Sequence, residues 1–274
     1  VNALLPVFCW SVLLTYGIAF GQYWRYFQDK SIKHAKGARA WLITALLLHT
    51  FYIVTLWVKT QHLPVGDTFS AITTYVWCSM LLYLALEFRL REMTMGVFLL
   101  PLILLLQLLS NLFIDFHKEL SPVLTGLFFE FHVLMMISGY AAFTISFITS
   151  VMYLLLSREM QSKQLGIFFE KLPSLQFFDN LSNQAVNIGL FLVTIGYGMG
   201  FYLGSSVWQG NWTLDPKFIA VAVSWAIYIV HFVTRLSAGW QGKRAAIVSI
   251  IGFGWLLFSF IVVTTFFSKV HNFQ

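Results

Sequence analysis

The hydrophobic and polar positions of this chain fall into one rhythm: a long apolar run, a short polar turn, then another apolar run, eight times over. The runs cover roughly 3–23, 40–58, 69–86, 95–113, 129–156, 187–204, 217–234 and 245–266. A helix rising ~1.5 Å per residue needs about 20 residues to cross a hydrocarbon core ~30 Å thick, and the runs have that length. Hydrocarbon offers the backbone no hydrogen-bond partner, so each run must satisfy its own amides by coiling. The pattern predicts an all-α integral membrane protein: a bundle of about eight transmembrane helices, read as a single polytopic domain over residues 1–274.

Composition supports this. Of the 274 residues, 58% are hydrophobic and only 10% charged, against roughly 25% charged in soluble domains. Six prolines and no low-complexity tract leave little room for long linkers. The chain opens at Val1 in an apolar run, without a basic leader or a small-residue cleavage site, so the first segment reads as a permanent helix. Cys9 and Cys78 fall inside apolar runs and read as small buried hydrophobes.

The basic residues fix an orientation. Thirteen of the 17 lie in one set of alternate turns: Arg25 to Arg39, Arg89 and Arg91, Arg158 to Lys171, and Arg235 to Arg244. Only Lys59, Lys118, Lys217 and Lys269 lie on the other side. Basic turns stay cytoplasmic, which predicts both termini on the outer side of a plasma or inner membrane. The net charge of +6 is then a topology signal, with lipid rather than nucleic acid as the surroundings. The longest cytoplasmic connection, 158–187, contains Phe168 to Pro173, which reads as a short amphipathic segment at the interface, ended by Pro173.

Candidate chemistry rests on histidine, uncommon inside a membrane and functional by default. His49 lies midway along the second run and His231 near the end of the seventh. At ~1.5 Å per residue, His231 is about 24 Å along its helix from Asp215, and His49 about 14 Å from Ala40. The two depths are compatible with an iron or proton site in the inner half of the bundle. A histidine hydrogen-bonded to a neighbouring helix is the competing reading for each.

A second set collects on the outer side: His132, His271, and the loop 205–217 carrying Trp208, Trp212, Asp215 and Lys217. Imidazoles serve as axial ligands of haem iron, aromatic faces stack on a flat macrocycle, and a lysine pairs with a propionate. Against this stands the ordinary tryptophan belt of a membrane interface. His34, His62 and His117 read as solvated polar residues of the turns. No HExxH, P-loop, Ser/His/Asp set or Gly-rich dinucleotide motif occurs.

The stretch Trp208-Gln-Gly-Asn-Trp212-Thr-Leu-Asp215-Pro216-Lys217, followed by Trp225 and His231, resembles the membrane cytochrome c assembly superfamily (the CcsA, CcmC and CcmF group), which carries a tryptophan-rich loop. The run from His132 to Tyr140, the stretch Lys171-Leu-Pro-Ser-Leu175, the hairpin Gly239 to Ala246 with Gly252-Phe253, and the placing of His271 are similar to that family too. The resemblance covers most of the chain from about residue 40. It implies a haem-handling protein: His132 and His271 as outer ligands of haem b beneath the loop, His231 as the ligand within the membrane, and His49 as the candidate partner of His231. It further implies positioning of haem for attachment to apocytochrome c, and a place in a haem lyase with a second membrane assembly subunit. Leu214 and Phe218 stand where the family loop has Trp and Glu, which makes the loop similar to the HemX-like branch. That branch implies the alternative of a membrane regulator of haem biosynthesis acting on glutamyl-tRNA reductase levels. A small-solute transporter with histidine proton relays is the other alternative.

Overall fold

The computed structural model describes residues 4–116, 126–162, 166–207 and 212–259. In these, the helices are α1 (Leu5–Asp29), α2 (Ile32–Thr60), α3 (Thr68–Leu90), α4 (Gly96–Phe113), α5 (Leu127–Gln161), α6 (Ile167–Lys171), α7 (Leu175–Val207), α8 (Pro216–Ser237) and α9 (Lys243–Phe258), and no strand occurs among the described residues. Seven of them are long and apolar enough to cross a membrane. The eighth predicted run begins as α9, whose 16 residues are followed by residues outside the described part. The protein is a multi-pass membrane protein. Its contacts gather into two compact units, Val1–Glu130 and Phe131–Gln274.

The burial pattern inverts that of a soluble protein. Leu14, Leu47 and Phe191 are each about two-thirds exposed, while His49, Gln107 and Ser146 have no exposed surface. Apolar side chains face out because lipid welcomes them, and polar ones face in because only the protein can bond them.

Helix ends differ from the expected turns. The basic stretch 24–39, read as a loop, is almost wholly helical: α1 runs on through Asp29 and α2 starts at Ile32. Lys30 makes the turn in the left-handed region (φ 52°), with its N–H bonded to the Tyr26 carbonyl. Asp29 accepts from the Ser31 amide at 2.9 Å and pairs with His34 at 2.7 Å. Beyond the hydrocarbon a helix can carry charges, so loss of apolar character marks the membrane boundary rather than the helix end. Likewise α7 begins at Leu175, a dozen residues ahead of its apolar run, and shortens the 158–187 connection. The segment expected to be amphipathic there is α6, which stops at Leu172 just before Pro173.

In the first unit α1 packs on α2 and α4, and α3 on α4 and α2. A hydrogen-bonded circuit closes the four helices. Its direction follows from its far end, the Cys9 carbonyl of α1, which can only accept. Asn111 donates to it at 2.9 Å, so the Asn111 oxygen faces Gln107, whose NH2 donates at 2.8 Å. The Gln107 oxygen then accepts the single proton of Thr73 at 3.2 Å. Thr73 must therefore accept from His49 Nε2 (3.0 Å), and His49 Nδ1 accepts from the Tyr16 hydroxyl (3.1 Å). Tyr16 lies on α1, two turns from where the circuit ends. His49 is thus neutral, with both ring nitrogens engaged.

The other end of this unit is held by Glu87, buried at 1% exposure. It accepts from the Tyr23 hydroxyl and, at 3.0 Å, from Arg39 Nε. Gly96 lets α4 approach this group, since a Cβ there would meet the Tyr23 ring at 2.5 Å. Beside it Lys30 donates to Thr94 at 2.8 Å.

His49→Ala should lower the unfolding free energy by roughly 2–4 kcal/mol: about 0.6 kcal/mol for each interhelical bond lost in a membrane and the rest for the cavity. An unfolding midpoint in detergent equal to that of the wild type would mean that the circuit contributes nothing. Glu87→Ala removes the acceptor for Tyr23 and Arg39 and should cost about 3 kcal/mol, read in the same assay.

Candidate functional site

The candidate histidines separate by unit: His49 in the first, His132 and His231 in the second. Trp208 and His271 lie outside the described residues.

In the second unit α5 meets α7 along a glycine stripe. Gly189, Gly196, Gly200 and Gly204 recur at intervals of seven and four, which keeps them on one face of α7. A Cβ at Gly189 would meet the Phe143 ring at 2.6 Å, at Gly196 Met136 Sδ at 2.8 Å, at Gly200 His132 Cε1 at 2.6 Å, and at Gly204 the Trp212 ring at 2.5 Å. Each missing side chain admits one group from α5 or from the loop before α8. His132 therefore lies flat against α7, with Trp212 one helical turn along.

The same closeness exposes the Gly196 carbonyl to the imidazole. His132 Nδ1 stands 2.7 Å from that oxygen. A carbonyl cannot donate, so Nδ1 carries the proton and Nε2 keeps its lone pair. A metal-ligating histidine is held by this arrangement, its second nitrogen tied to a backbone oxygen that fixes tautomer and ring plane.

Trp212 stands edge-on to Phe201 and Phe218, with ring centroids 5.2 and 5.1 Å apart. Phe218 stacks on Tyr197 at 4.8 Å. Trp225 continues the seam and donates from its indole N–H to Thr194 at 2.9 Å. Trp212 is thus the end of an aromatic seam between α7 and α8, not an isolated belt residue. Asp215 is buried and caps α8, accepting from the Lys217 amide at 2.9 Å, while Pro216 occupies the first helical turn. The Asp-Pro-Lys run is in the first place a helix start, one that carries Lys217 to within electrostatic range of His132.

His231 lies on α8, only 2% exposed, and neither ring nitrogen has a hydrogen-bond partner among the described residues. One turn earlier on the same face, the Tyr228 hydroxyl is buried in the same condition, its ring stacked on Phe143 at 3.5 Å. A buried imidazole without a partner costs about 1–3 kcal/mol per unpaired group, a cost that a ligand bound there would relieve. One turn beyond His231, Arg235 makes a two-pronged ion pair with Asp179 of α7 at 3.0 and 2.6 Å.

The structure thus groups His132, Trp212, Asp215 and Lys217 at one end of α8, with His231 far along the same helix. Sequence reasoning passed over Asp179, Tyr228 and the glycine stripe. The spacing of Gly196, Gly200 and Gly204 at four residues was the readable signal for the last of these. Nothing in the sequence distinguished a satisfied His49 from an unsatisfied His231.

Gly200→Ala should destabilise the protein by roughly 1–3 kcal/mol through overpacking against His132. Gly198→Ala, where a Cβ would meet nothing within 4 Å, should be neutral or slightly stabilising. Equal unfolding midpoints for the two variants would show that His132 is not seated on Gly200.

The family described as cytochrome C assembly protein matches residues 65–271 of this chain. The chain is 28% identical over 221 residues to a cytochrome c biogenesis protein CcsA of Mesostigma viride, covering 72% of each chain. To the protein of that name from Prochlorococcus marinus it is 27% identical over 266 residues, covering 86% of this chain and 83% of the relative. To that of Gloeobacter violaceus it is 22% identical over 311 residues, covering 93% and 92%. The matched region starts just before the third run and takes in His132, the tryptophan loop and His231, and on this match the chain belongs to the cytochrome c assembly protein family.

Proposed function

We propose that this chain binds haem b through histidines of its second unit and positions it for attachment to apocytochrome c, as the name shared by its relatives suggests. The observation that carries the proposal is His231: a buried imidazole whose two nitrogens meet no partner among the described residues. Neutral imidazole nitrogen is a good ligand for iron, and the orphaned atoms fit that role. His132, tied through Nδ1 to the Gly196 carbonyl with Nε2 left as the basic nitrogen, fits a second station.

Haem would supply the iron and the vinyl groups to which the cysteine thiols of an apocytochrome add. The residues of this chain hold and orient. In this reading His132 and His271 take the iron at the outer station, the aromatic seam ending at Trp212 packs against the macrocycle, and Lys217 offers charge to a propionate. Trp208, in the same loop by sequence, is assigned to haem binding with them. The basic turns stand on the cytoplasmic side of a plasma or inner membrane and both termini on the outer side. A second membrane subunit and the apocytochrome are the partners of a haem lyase. His231 is the inner ligand. His49, proposed from depth as its partner, would have to surrender its bond to Tyr16 or Thr73 to bind iron, so its role here is to cross-link helices.

Purified in detergent, the protein should show a sharp low-spin haem spectrum that loses intensity in His132→Ala and in His231→Ala and keeps it in His49→Ala. A protein that is colourless as isolated and gains no spectrum on added haem would overturn the proposal. Deleting the gene should abolish covalent cytochrome c. Normal cytochrome c with raised glutamyl-tRNA reductase would mean that the chain regulates haem synthesis instead.

A further inference from the structure

The ion pair beside His231 has no evident structural necessity. Asp179 and Arg235 have side-chain exposures of only 6% and 13%, and burying such a pair is often no better for stability than packing two apolar residues in its place. Yet Asp179 is held three ways, by both terminal nitrogens of Arg235 and by the Gly242 amide at 2.8 Å. Gly242 presents that amide from a backbone with φ 62° and ψ −128°, a region reserved for glycine, and a Cβ there would meet the Tyr153 hydroxyl at 2.5 Å. Three helices, α7, α8 and the start of α9, therefore converge on one carboxylate. Arg235 follows His231 by four residues and shares its helix face, so both charges act on the imidazole that lacks a partner.

We propose that Asp179 and Arg235 form a charge-neutral bracket that sets the oxidation balance of iron held by His231, as positioning residues that touch neither iron nor macrocycle. The inference rests on the reading of His231 as an iron ligand. The physics is direct. Ferric iron carries one more positive charge than ferrous, so an added neighbouring positive charge disfavours the ferric state and a negative one favours it. At an effective dielectric near 20, a single charge about 10 Å away changes the ferric-to-ferrous ratio at fixed potential by roughly tenfold. The intact pair cancels most of this, and loss of either partner releases it.

The test is a redox titration of the haem-loaded, full-length protein, followed in the part of the visible spectrum that His231→Ala removes. Asp179→Asn leaves Arg235 uncompensated and should move the midpoint to more positive potential. Arg235→Gln leaves Asp179 uncompensated and should move it the other way. The double variant Asp179→Asn/Arg235→Gln restores neutrality and should return near the wild type. If one single variant fails to accumulate, the sign of the other and the return of the double still decide. Midpoints that stay at the wild-type value, or that move in the same direction in both single variants, would reduce the pair to packing and overturn the bracket alone. A His231→Ala protein with the full wild-type spectrum would instead overturn the ligand reading itself, and the bracket with it.

Discussion

Inside hydrocarbon no water is available to finish an incomplete hydrogen bond, and this one constraint organises the structure. It forces the chain into helices, and it turns every polar side chain between those helices into either a cross-link or a liability. The first unit meets the constraint along its middle with a closed chain of bonds, leaving the buried Tyr52 hydroxyl outside it. A phenol, an imidazole, a hydroxyl and two carboxamides pass one direction of donation from α1 through α2, α3 and α4 and back to α1. Every member has one role, so the imidazole has one tautomer and no proton to spare.

The second unit meets the constraint unevenly among its described residues. Its serines satisfy one another across α5, α7 and α9, with Ser146 2.8 Å from Ser182 and 3.1 Å from Ser249. Asp179 and Arg235 neutralise each other. Between those settled groups stands His231, for which no such arrangement occurs among the described residues. Near the opposite end of α8, His132 commits its Nδ1 proton to a backbone oxygen, which makes Nε2 the basic nitrogen of the ring. Glycine eases that approach, because a Cβ at Gly196 or Gly200 would meet Met136 or the His132 ring itself.

The fold was legible because hydropathy reports the medium. Eight apolar runs of the right length gave seven membrane-length helices and the start of an eighth, and the ends misread were those where a helix outlasts its apolar stretch, at Asp29, Ile32 and Leu175. The site was legible only in part. Residue type and approximate depth named His132, His231, Trp212 and Lys217, but depth along an axis says nothing about rotation around it. His49 and His231 looked equivalent on that measure. They differ because Tyr16 and Thr73 bond the one ring while no described group bonds the other, a matter of helix packing that one-dimensional spacing does not contain. Asp215 was read as part of a binding loop, whereas its first task is to begin a helix.

The closed path of donors in the first unit also bears on how the protein is made. Helices enter a membrane one after another, and until α4 arrives, the hydroxyl of Thr73 has no acceptor and the carbonyl of Cys9 no carboxamide. The three earlier helices are already tied by the Tyr16–His49–Thr73 bonds and by Glu87, but their chain of donors has no end. The last to arrive brings Gln107 and Asn111 one turn apart and closes the path back to α1, so α4 acts as a latch on three helices already cross-linked.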